Sequence, residues 1–64
     1  MKPQSTVQHE VNIDGKEFVV TLAKTGKSTW RAWGDAWGRH IVETGSSESS
    51  ALTHWKADAL AMNG

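Results

Sequence analysis

Three histidines, a run of serines and one Gly-Lys-Ser string are the residues whose types could do chemistry here. His9, His40 and His54 are the only candidates for a metal site. No two stand at a close ligand spacing, and the chain has no cysteine, so no metal is expected. His9 reads as a half-buried strand residue with one ring nitrogen bonded, and His40 and His54 as surface residues. The string AKTGKST ends like a phosphate-binding loop. That loop needs a glycine five residues before Gly26, where Thr21 stands, and a helix after it, where a strand is expected. Ser46, Ser47, Ser49 and Ser50 are better explained by capping a helix than by a nucleophilic set or an anion held at its N-terminus. A domain this short also lacks room for a substrate pocket of ~300 Å³. The expectation is a non-enzymatic protein with no catalytic residues and no cofactor.

Residues suited to contact are more prominent than residues suited to catalysis. Lys24, Lys27, Arg31 and Arg39 lie in one stretch, opposed there only by Asp35. Trp33, Trp37, His40 and Val42 are interleaved with them. Tryptophan and arginine are the side chains most enriched where binding energy concentrates. The same pair suits nucleic acid, where arginine reads phosphates or base edges and a ring packs against sugar or base. The competing expectation is that Trp33 and Val19 cover each other as a cross-strand pair.

The elements that must position these residues follow from the hydrophobic pattern. Sixty-four residues make one domain at most, and one this small buries only about 60% of its unfolded surface. Without disulfides, large aromatic side chains must compensate, and Phe18, Trp30 and Trp55 are the candidates. Residues 1–6 are polar and expected to be disordered, leaving one domain over 7–62. Val7, His9, Val11 and Ile13 alternate with polar residues, which is a strand with one buried face. Asp14-Gly15 is a strong two-residue hairpin signal, because both positions of a type I′ turn need positive φ. The second strand is then residues 16–23, with Val11 opposite Phe18, His9 opposite Val20 and Val7 opposite Leu22.

Residues 24–28 (KTGKS) read as a loop and residues 29–34 as the third strand. Trp30 and Ala32 continue the inner face, and Arg31 and Trp33 point outward. Residues 35–38 (DAWG) form the next turn, carrying Trp37 and Arg39 beside it. The fourth strand is residues 39–44. Ile41 is inward and His40 and Val42 outward, unless Glu43, which would otherwise point in, forces a bulge that turns Val42 inward. Ser46 or Ser47 caps a helix over about residues 48–61. Its apolar stripe is Ala51, Leu52, Trp55, Ala59 and Met62. The fold class is therefore α+β: a four-stranded antiparallel meander with one C-terminal helix packed on one sheet face, the other face open.

The stretch 29–60 resembles the APETALA-type DNA-binding domain and its phage and integrase-associated relatives. The resemblance rests on Trp30-Arg31-Ala32, on Gly38, Ile41 and Gly45, and on Ser47, Ala51, Trp55 and Ala59 at that family's Thr…Ala…Tyr…Ala helix spacing. It implies a sheet whose outward residues enter the major groove, here Arg31, Trp33, Arg39 and Val42. A double-stranded-RNA-binding domain shares the strand-strand-strand-helix order. Its helix opens on a lysine cluster, whereas this one opens SSESS.

Seven basic and seven acidic side chains give zero formal charge, which argues against strong non-specific nucleic-acid binding. No signal peptide or membrane-length apolar run is present, so a cytoplasmic protein is expected. Two partner classes follow. One is nucleic acid, DNA first, on the open face through Arg31, Trp33, Trp37, Arg39, His40, Val42, Lys24 and Lys27. The other is a protein partner on the same face, including weak self-association.

Overall fold

The computed structural model describes Thr6–Asn63. β1 (Thr6–Ile13), β2 (Lys16–Gly26), β3 (Thr29–Ala36) and β4 (Arg39–Gly45) form one antiparallel sheet in sequential order, followed by α1 (Glu48–Asn63). This is the α+β meander-plus-helix that the hydrophobic pattern predicts. Thr6 already pairs with Ala23, so the sheet starts one residue earlier than expected; residues 1–5 lie outside the described residues.

The first hairpin follows its turn chemistry. Asp14 and Gly15 have φ of 55° and 83°, and Val11 faces Phe18, His9 faces Val20 and Val7 faces Leu22. The second connection departs from the expectation. Residues 24–28 are not all loop: β2 continues to Gly26, with a register shift between Lys24 and Gly26, and the turn shrinks to Lys27 and Ser28. Gly and Ser mark the turn, but the backbone groups of Lys24 find ladder partners at Trp30, and a bulge absorbs the extra residue.

The third connection also tightens. β3 runs to Ala36, and the turn is Trp37-Gly38 alone, with φ of 55° and 73° and Ala36 paired with Arg39. A bulky residue in the left-handed region costs energy. The offset is visible in the side chain. The Trp37 indole lies against the core, its Nε1–H donates to the Ala59 carbonyl at 2.8 Å, and it meets the Phe18 ring edge-on at 4.9 Å.

The core lies between α1 and the sheet face carrying Val11, Ile13, Val20, Leu22, Ala32, Ala36 and Ile41, and Ala51, Trp55 and Ala59 come down from the helix. Trp55 is its centre. It is fully buried, and its Nε1–H donates to the Ile41 carbonyl at 3.1 Å. The indole sits over Gly34: a Cβ built there would lie 3.3 Å from the Trp55 ring and 2.7 Å from the Val19 carbonyl oxygen. Phe18 and Trp30 are only partly buried at the edge of this cluster. Ser47 caps the helix, its Oγ accepting the Ser50 N–H at 3.1 Å and its carbonyl the Ala51 N–H at 2.9 Å. The helix runs two residues past the predicted end. Met62, expected in the apolar stripe, is 43% exposed.

Candidate functional site

Alternation along each strand assigns the outer face. In β4, Ile41 is buried and Val42 is 47% exposed, which resolves the alternative left open by the sequence: Ile41 is the inward residue and no bulge intervenes. Trp33 pairs with Val42 and Thr21, and it is absent from the core cluster. Its indole therefore faces away from α1, and Arg31 does the same two residues earlier.

The outer face is ordered in rows across the strands. Thr6 pairs with Ala23, Ala23 with Arg31 and Arg31 with Thr44. The next row is Gln8, Thr21, Trp33 and Val42. Beyond it Glu10 pairs with Val19 on one pair of strands, and Asp35 pairs with His40 on the other. Val19 is 51% exposed. The His40 Nδ1–H donates to Asp35 Oδ1 at 3.0 Å, both side chains being exposed.

Parity separates the basic residues that the sequence places together. Arg31 alone stands on the outer face. Lys24 pairs with Trp30 and shares its inward parity, Lys27 sits in the β2–β3 turn, and Arg39 has the parity of Ile41. Arg39, read by resemblance as an outward residue, is thus on the helix side of the sheet, at its exposed end. Trp37, read as a turn residue beside the contact surface, is committed to the core as described above. Of the eight candidates, the open face gathers Arg31, Trp33, His40 and Val42. It also carries Glu10, Glu17 and Asp35 by alternation, so its fixed charge is net acidic.

The helix side carries polar ties that sequence reasoning only partly located. His9 Nε2 lies 2.7 Å from Glu48 Oε2, joining the sheet to the first turn of α1 and giving His9 its expected bonded nitrogen. The His54 Nδ1–H donates to the Thr44 carbonyl at 2.7 Å. Glu43, inward on β4, shares a hydrogen bond with Asp58 of α1. That bond, then partial burial, then the Asp58 charge raise the Glu43 carboxyl above its ordinary value, opposed by the His54 charge. The signal for this contact was the misplaced Glu43 itself. A carboxylate at an inward position needs a polar partner on the element above it. Among the described residues, no group of three His, Asp or Glu side chains is arranged to hold a metal ion, no cavity is enclosed, and no helix is long and apolar enough to cross a membrane.

Comparison with protein-family models, curated proteins and solved structures finds no match to this chain.

Proposed function

We propose that this chain is a small non-enzymatic binding module whose open sheet face takes a protein partner. The observation that supports this reading most is the composition of that face. Trp33, Val42 and Val19 make an apolar strip beside Thr21, with one cation and three carboxylates around it. An aromatic and aliphatic centre with a charged rim is the anatomy of a protein contact. Exposed valines beside a partly buried indole are also the kind of contiguous apolar surface that marks an interaction site.

The DNA-binding reading draws on one observation, the outward pair Arg31 and Trp33 two residues apart on a sheet. It is the weaker reading because the other three basic residues of the middle stretch do not share that face. The two readings separate in one titration. With a single cation on the face, log affinity for a duplex oligonucleotide should fall with log salt at a slope no steeper than about −1. A DNA-binding face with three or four phosphate contacts would give roughly −3. The protein reading is tested by placing a photo-crosslinking side chain at Val42 and, as control, at Lys56 on the solvent side of α1. Discrete protein adducts from Val42 and none from Lys56 are expected. Equal labelling from both positions, or none from either, would contradict it.

A further inference from the structure

We propose that the partner of the open face is a second copy of this chain, packed face to face about a twofold axis that runs across the strands through Trp33. This inference rests on the reading of that face as a protein-binding surface and names its occupant.

Charge is ordered symmetrically along β3. Arg31, Trp33 and Asp35 point outward at successive outward positions, a cation and an anion placed symmetrically about an indole. A twofold axis lying between two stacked sheets and crossing the strands at the level of Trp33 reverses the strand direction while keeping the strand order. It lays Arg31 over the partner's Asp35 and Asp35 over the partner's Arg31. The remaining rows agree. Thr44 falls over the partner's His40, and Thr6 over the partner's Glu10. Val19 falls at the level of the partner's Ala23. On the axis row, Gln8, Thr21, Trp33 and Val42 each meet their own counterpart, and none of the four carries a charge.

An axis running along β3 itself would set Arg31 against Arg31 and Asp35 against Asp35, and one running between β2 and β3 would lay Arg31 over the partner's Ala23 and Asp35 over the partner's Val19; neither brings opposite fixed charges into register. Like charges in register across an interface cost several kcal/mol. An isologous contact of the first kind is the commonest symmetry of small soluble assemblies. It is also the ordinary aligned packing of two antiparallel sheets about 10 Å apart. Four strands about 4.8 Å apart and about seven residues long present roughly 450 Å² of projected face per copy. That is below the ~800 Å² per partner of a standard stable interface, so the dimer belongs to the weak, concentration-dependent class.

The test is sedimentation equilibrium of the full chain from about 10 μM to about 1 mM, the range over which so small an interface should populate. The wild-type chain is expected to pass from monomer to dimer. Arg31→Asp alone and Asp35→Arg alone each place like charges in register twice, and each should weaken the dimer about tenfold or more. An equimolar mixture of the two variants restores both opposite-charge pairs and should recover a heterodimer. Both side chains are exposed, and far-UV circular dichroism and the melting temperature verify that each variant folds. A wild-type chain that stays monomeric throughout, or a mixture no tighter than the separate variants, overturns the second-copy inference. The binding-face reading fails by a different result, the absence of a Val42-specific adduct of any mass.

Discussion

The two faces of the sheet are built from the same four strands and carry opposite instructions. The inner face is closed: Trp55, Leu22 and Val20 are fully buried, and two of the three indoles on that side, Trp37 and Trp55, donate their N–H groups to backbone carbonyls. The outer face has its own tryptophan, two half-exposed valines and charges sorted by row, with no element across it among the described residues. An indole is committed to the fold when its N–H has a partner and its ring has neighbours on every side. Among the described residues Trp33 has no such bond, and its ring is only partly covered. In so small a domain, a large aromatic group outside the core suggests a use beyond folding.

Substitutions break this comparison in order of size. Trp55→Ala should cost about 3–5 kcal/mol, a large share of the ~3–10 kcal/mol expected for a domain of this length, and leave the chain largely unfolded at 25 °C by circular dichroism. Gly34→Ala puts a Cβ 2.7 Å from the Val19 carbonyl oxygen, which is backbone and cannot swing aside. Overpacking of about 1–3 kcal/mol should appear in the urea midpoint. Trp37→Phe keeps most of the ring but leaves the Ala59 carbonyl without its donor, for about 1–2 kcal/mol. Trp33→Ala should cost no more than ~1 kcal/mol of monomer stability, the scale of a cross-strand pair. If Trp33→Ala proves as costly as Trp37→Phe or costlier, the outer face is part of the fold and the contrast collapses.

The smallest effect is one of pH. Glu43 holds its proton more tightly in the folded chain, so the folded state binds more protons than the unfolded one between the ordinary value of 4.5 and the raised folded value. Stability from this group is therefore full below that window and is lost as pH rises through it. The difference in melting temperature between the wild-type chain and Glu43→Gln, followed from pH 4 to pH 7 by calorimetry, should move against the wild type as pH rises. A flat difference would remove the Glu43–Asp58 contact from the account.

The hairpin at Asp14-Gly15, the inner register of β1 and β2 and the position of α1 were legible in the sequence. Each rests on a local signal that tertiary contacts reinforce: turn chemistry, period-2 alternation, and a serine before a helical stripe. Trp37-Gly38 was not legible as a two-residue turn, because a tryptophan at positive φ is disfavoured locally and is held there by Phe18 and the Ala59 carbonyl, 22 residues away. The candidate site was half legible. Alternation gave the direction of Arg31 and Trp33. Nearness in sequence overstated the basic patch, since Lys24, Arg31 and Arg39 differ in parity and parity decides which face a charge joins.

The most direct measurement follows the indole N–H resonances of the tryptophans in one NMR concentration series with hydrogen exchange. Slow exchange and fixed shifts are expected for Trp37 and Trp55, and fast exchange in dilute solution with a concentration-dependent shift for Trp33. A Trp33 resonance that is protected and invariant while that of Trp37 moves would place the free surface under the helix and contradict the assignment of the two faces.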